Sequence, residues 1–187
     1  MSRVRNDLFD NKEGYARGRP FVTMALWQLV KTAFFMTTFP WPSSVKVFWL
    51  RRFGTKIGTG ACIKPRVNIH LPWKLTVGAH AWIGEDAVLL NFEAMKIGNH
   101  ACISQGAFLC GGNHDFSTEN MRYRHGKITV CDGAWVGARA FVAPGVTIGE
   151  DCVICACGVV TANMPAGAVC KGNPCKPSGH RWKSQQI

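Results

Sequence analysis

From residue 57 onward, an aliphatic residue followed four places later by a small one recurs every six residues. The units begin at Ile57, Ile63, Val77, Ile83, Ile97, Ile103, Val130, Val136, Val142, Ile148 and Ile154. Their small positions hold Ala61, Ala81, Ala87, Ala101, Ala107, Ala134, Ala140, Cys152 and Gly158, with Val67 and Val146 in the other two. A period of six fits neither the 3.6-residue helix nor the two-residue alternation of a simple strand, so each unit is a short strand ending in a turn. Three units close a triangular coil. The aliphatic residue points inward and stacks on its counterpart one coil away, at roughly 4.8 Å, while the small residue lets the wall bend. Each inward Ile or Val is worth roughly 1.5–3 kcal/mol, so stacked coils hold a chain whose single repeats could not fold alone. The period therefore predicts an all-β solenoid, a parallel β-helix of about five triangular coils over 57–171.

Successive coils start at Ile57, Val77, Ile97, Val130 and Ile148, which are 20, 20, 33 and 18 residues apart. Eighteen is the bare coil, and the excess falls each time after the third unit: after Ile69, after Leu89 and after Leu109. All three extensions leave the prism at one corner. The longest, 115–129, is long enough to reach a neighbouring molecule, and loops of that length in compact domains are usually functional. His114 stands at its root.

The ends break the period. Residues 21–39 form an apolar stretch with a polar strip of Gln28, Lys31, Thr32 and Thr38, which predicts an amphipathic helix stopped by Pro40 and Pro42. Val45–Phe53 reads as a second short helical or extended segment, so residues 1–56 form an N-terminal arm and cap. Residues 172–187 read as a basic C-terminal tail. With 47% hydrophobic and 18% charged residues, the composition is that of a folded domain. The nine cysteines are an odd number and the first residues are polar, without a cleavable signal peptide, so the thiols are read as reduced in a cytoplasmic protein. A net charge of +11 favours a polyanionic partner. No recognition helix, zinc finger or RNA platform accompanies it, which argues against nucleic acid. An anionic membrane surface or a phosphorylated cosubstrate remains.

The run WVGARAFVAPGVTIGED (135–151), the run SQGAFLCGGNHDFS (104–117) and the ending GNPCK (172–176) resemble the hexapeptide-repeat acyltransferases, and within them the colanic acid biosynthesis acetyltransferase family. The segments LWQLVKTAFF and RRFGTKIG resemble that family's N-terminal region. The resemblance implies a left-handed β-helix, a homotrimer with active sites between subunits, and transfer of acetyl from acetyl-CoA to a sugar or glycan hydroxyl in cell-surface polysaccharide biosynthesis. It implies no metal.

Such a transfer needs a base for the hydroxyl proton, and histidine suits that role near neutral pH. Of the six histidines, His114 matches the family's catalytic histidine in its Gly-Asn-His-Asp context. Asp115 either orients a substrate hydroxyl or caps the loop. Asn91, at the preceding extension of the same corner, and Arg122, in the loop, are substrate-contact candidates; Arg122 and Arg124 could equally be solvated loop charges. By similarity, Trp135, Ala138, Ala156 and Thr161 line the CoA slot, and Lys171, Lys176 and Arg181 approach the CoA phosphates. Ala138 and Ala162 stand where related enzymes often have Ser and Lys, so the side-chain contacts at these two positions differ from theirs.

Other chemistries stay open. Cys152, Cys155 and Cys157 do not share an inward register, so they imply no tetrahedral zinc set, and Cys110 is not needed as a nucleophile. His80 and His100, at the fourth place of consecutive coils, should stack, and that pair raises a zinc-dependent hydratase as an alternative; a non-catalytic trimeric scaffold is another. For residues 21–39, Lys31 near the middle argues against spanning a bilayer. The plainer role is a cap on the first coil. The other is peripheral contact at the inner face of the cytoplasmic membrane, with Lys31, Arg51 and Arg52 near anionic headgroups.

Overall fold

The computed structural model describes residues 3–10 and 13–182; the last part of the basic tail, 183–187, lies outside the described residues. The repeats form a three-faced parallel β-helix. Face A carries the strands Lys56–Ile57, Leu75–Val77, Met95–Ile97, Ile128–Val130 and Thr147–Ile148. Face B carries Cys62–Ile63, Trp82–Ile83, Cys102–Ile103, Trp135–Val136, Val153–Ile154 and Ala168–Lys171. Face C carries Asn68–Ile69, Val88–Leu90, Phe108–Cys110, Phe141–Val142 and Val159–Val160. Five coils are complete. A sixth begins at Met164, bridged to Ile148, and continues into Ala168–Lys171, so the prism is part of a coil longer than the period predicts.

The inward ladder is continuous. On face B, Ile63, Ile83, Ile103, Val136, Ile154 and Cys170 are successive partners, all essentially without solvent exposure. Register survives the longest excursion, because Val130 still pairs with Ile97 across 33 residues of sequence. Each predicted small residue is buried. The turns add a rule that residue type alone hides: the fourth place of every unit is left-handed, whether Gly60, Gly106, Gly133 and Gly145 or Arg66, His80, Asp86, His100, Arg139, Asp151 and Cys157. Glycine adopts that conformation without penalty, and Asp and His are tolerated there. The second place is crowded instead. A Cβ on Gly78 would run into the backbone nitrogen of Asn99 in the next coil.

The N-terminal arm caps the first coil with α1 (Phe21–Val30) and α2 (Ser43–Arg52). The predicted helix over 21–39 stops earlier. After α1 the chain widens into a π turn, Lys31–Phe35, with Met36 N–H donating to Lys31 O, and the Thr37 hydroxyl then accepts from Phe39 N–H in place of a helical bond. This lets Trp27 and Phe35 both reach the core, where the Trp27 indole donates to Ile69 O. Lys31 points inward to Asn68 Oδ1 at 3.3 Å, and burial lowers its pKa, so its predicted place among headgroups is corrected. Among the described residues, no helix is long and apolar enough to cross a membrane.

At the other end, the tail does not simply leave the prism. Lys176–His180 folds back antiparallel on Ala168–Lys171 and extends face B. Cys152, Cys170 and Cys175 lie buried beneath it; burial pushes the Cys152 thiol up to about 12 and that of Cys175 to about 11. All nine cysteines are free thiols.

Candidate active site

The three extensions all emerge at the corner between faces C and A. The longest occupies 111–127 rather than 115–129, because Ile128 and Thr129 already pair with Met95 and Lys96 on face A. Its two limbs lie antiparallel: Asp115 N–H donates to Arg122 O at 2.8 Å, Arg124 N–H to Asn113 O at 2.7 Å and Gly126 N–H to Gly111 O at 3.0 Å. The arm turns back at Met121, whose φ of 47° is left-handed and unusual for an unbranched non-glycine side chain. That turn aims the Met121 carbonyl at His114, and Nδ1 of His114 lies 2.6 Å from it. A carbonyl can only accept, so Nδ1 carries the proton and Nε2 carries the lone pair.

Around His114 stands an aromatic cluster partly supplied by the N-terminal segment. Phe9 approaches the His114 and Tyr123 rings at 5.3 and 5.0 Å, and Arg5 N–H donates to Glu119 O at 2.8 Å. Tyr15 packs edge-on to Phe92 and Tyr123, and its hydroxyl meets His70 Nε2 at 3.0 Å. His125 stacks flat on Phe92, centroids 4.6 Å apart, with both ring nitrogens buried and without a hydrogen-bond partner. Burial lowers its pKa. His70, half-buried, is lowered to about 4 by burial and by the charges of Lys31 and Lys74.

The predicted acceptor contacts divide. Asp115 is engaged inside the loop, where Ser117 N–H, Ser117 Oγ and Arg122 all donate to its carboxylate and hold its pKa below the usual carboxylate range. Arg122 is exposed and borders a depression of about 450 Å³ with Glu13, Tyr123 and Arg124. Asn91 has no exposure: its Oδ1 accepts from Leu71 N–H and its Nδ2 donates to Leu71 O. It faces the neighbouring coil and no cleft.

The predicted cofactor contacts also divide, by corner. Trp135, Ala138 and Ala156 line one apolar groove with Ser104, Gln105 and Cys155, on face B and its corner with face C. Trp135 is 45% exposed and its indole donates to Ser104 Oγ, so the ring is held but open on one side. Lys171 and Lys176 face each other across the terminal hairpin at this same corner, both exposed. Thr161 is elsewhere. It lines a second depression at the C–A corner with Asn113, Arg124, His125, Ala143 and Gly145. Arg181 sits at the third corner, donating to Gly133 O at 2.6 Å and lying 3.7 Å from Asp151, which makes it a clamp on the last coils. At that corner His80 and His100 stack at 5.1 Å, and among the described residues no group of three or more His, Cys, Asp or Glu is placed to hold a metal.

Sequence reasoning had no means of finding the Met121 carbonyl, a backbone group with no residue signature. Ser104 is different, since its position one coil below Trp135 follows from the period.

The bacterial transferase hexapeptide (six repeats) family matches residues 127–162. The colanic acid biosynthesis acetyltransferase WcaF of Escherichia coli K12 is 40% identical over 162 residues, covering 84% of this chain and 87% of that protein. The solved maltose O-acetyltransferase of Clostridium difficile 630 superposes with a TM-score of 0.78 at 21% identity, over 87% of this chain and 88% of that one. A hexapeptide-repeat acetyltransferase of Vibrio cholerae O1 biovar eltor, solved with acetyl coenzyme A, gives 0.78 at 20% identity over 87% and 88%. These structures share the left-handed β-helix. With its period of six, its extended corner bearing His114 and 40% identity over most of its length, the chain belongs to the colanic acid biosynthesis acetyltransferases, a family of hexapeptide-repeat acetyltransferases.

Proposed function

We propose that the protein transfers acetyl from acetyl-CoA to a hydroxyl of a sugar or glycan, with His114 as general base. The observation that carries this reading is the 2.6 Å contact between His114 Nδ1 and Met121 O, which leaves Nε2 as a lone-pair acceptor at the root of the arm. Nε2 takes the hydroxyl proton as the sugar oxygen bonds to the thioester carbonyl carbon. When the carbon–sulfur bond breaks, the imidazolium returns that proton to the departing thiolate, giving an acetyl ester, a free CoA thiol and neutral His114. Solved relatives hold acetyl-CoA or CoA, which supports the donor.

The groove of Trp135, Ala138 and Ala156 suits the narrow pantetheine arm, and Lys171 and Lys176 suit its phosphates. This groove and His114 occupy different corners of one prism, so a single chain does not bring them together. A homotrimer, in which the groove corner of one subunit meets the arm of the next, does. Thr161 and Arg122 then border the shared cleft on the His114 side, Asp115 shapes the loop, and Asn91 staples the corner. We place this work in the cytoplasm, at the inner face of the cytoplasmic membrane. The test is a screen of nucleotide sugars and lipid-linked glycans with acetyl-CoA, reading thiol release. Acceptor-dependent release supports the assignment; acetyl-CoA that stays intact with every acceptor class contradicts it.

A further inference from the structure

A capping helix ordinarily turns its apolar side to the core and its charges to water. The arm of this protein does so only in part. Trp27, Phe35 and Leu50 are buried, but so is Lys46, whose ammonium donates to Ile63 O at 3.1 Å, and Lys31 reaches in to Asn68. The outer side of α1 carries Phe21, Val22, Leu26 and Leu29, with Phe21 73% and Leu29 69% exposed, followed by exposed Met36 and Phe39. It bears no charge. On α2, exposed Phe48 shares a depression with Arg51 and Arg52. Phe39, Trp41, Phe34, Trp49 and Phe48 stand in successive ring contact, which joins the α2 side to the segment after α1. Exposed apolar surface edged by charge marks an interaction site.

The charge pattern selects the occupant. Residues 14–84 contain ten Lys and Arg and no Asp or Glu; Lys31 and Lys46 turn inward and Arg66 pairs with Asp86, while Arg51 and Arg52 stay exposed beside the apolar face. A second copy would set this cationic region against itself, and like charges across an interface oppose association. An anionic bilayer offers both complements: acyl chains for the apolar face and headgroups for its arginine rim. We propose that the outer face of α1, with Phe48, Arg51 and Arg52 of α2, docks the enzyme on an anionic lipid surface. The surface deepens the assignment to the membrane's inner face and does not depend on the acetyl-transfer chemistry. The cap and the membrane contact become two sides of the same helices.

The experiment is co-sedimentation of the full-length protein with phosphatidylcholine vesicles, with and without about 30% phosphatidylglycerol. Binding to the anionic vesicles at low salt is expected, with at least a tenfold loss in Val22→Glu/Leu29→Glu and a severalfold loss in Arg51→Gln/Arg52→Gln or at high salt. Circular dichroism and sedimentation mass check that the variants stay folded and keep their assembly. Three results would overturn the proposal: no binding to anionic vesicles, binding unaffected by the double glutamate variant, or a loss of oligomer mass in that variant, which would make the face a contact between copies. Acetyl transfer to a soluble acceptor is read separately, so failure of docking and failure of the catalytic assignment are told apart.

Discussion

Acidification should loosen the N-terminal segment from the arm that bears His114 through His70. The ring contacts Tyr15 and Phe92, which join the cluster around Tyr123 and His125. An unfolded histidine titrates near 6.5, whereas burial and the nearby lysines bring the folded value to about 4. The unfolded state therefore binds more protons between these values, so stability is complete above pH 6.5 and is lost as pH falls toward 4. At about 1.4 kcal/mol per pH unit the gap corresponds to roughly 3 kcal/mol, and solvent screening of the half-exposed ring reduces this to roughly 2 kcal/mol. Urea unfolding at pH 7 and pH 4, for the native protein and His70→Phe, isolates the term because carboxylate contributions cancel in the difference. The native protein should lose roughly 2 kcal/mol more than the variant. Parallel losses would refute the assignment of His70 as a buried neutral ring.

Two other perturbations test the scaffold and the donor site. Ile103→Ala, stacked between Ile83 and Val136 with backbones held in register, should cost about 3–5 kcal/mol in urea unfolding, while outward Thr76→Ala on face A should stay within about 0.5 kcal/mol. Lys171→Ala/Lys176→Ala should raise KM for acetyl-CoA severalfold, with a smaller effect for acetyl-CoA lacking its 3′-phosphate; equal effects on both donors would remove the phosphate role.

The periodic part of the molecule was legible because burial enforces it. Every inward position from Ile63 to Ile154 must fit a fixed spacing, so residue type reports position directly. The common corner of the three extensions followed from the same arithmetic, and it led to His114. What escaped depends on contacts without a period. The left-handed fourth place accepts Gly, His, Asp, Arg and Cys alike, so composition conceals it. The helix over 21–39 looked continuous because its polar strip of Gln28, Lys31, Thr32 and Thr38 keeps helical spacing to the end, while its actual end is set by Phe35 reaching the core and by the Thr37 hydroxyl. Arg181 appeared to be one more basic tail residue. Only the backward strand Lys176–His180 carries it to the corner away from Lys171 and Lys176.

The central claim is that His114 removes the acceptor proton. Steady-state kinetics of His114→Asn, with acetyl-CoA and the acceptor identified by thiol release, test it most directly. Loss of the base predicts a fall in kcat of roughly 10²–10⁴-fold with the KM for acetyl-CoA little changed. Undiminished turnover, or a defect confined to the KM for acetyl-CoA, would contradict it.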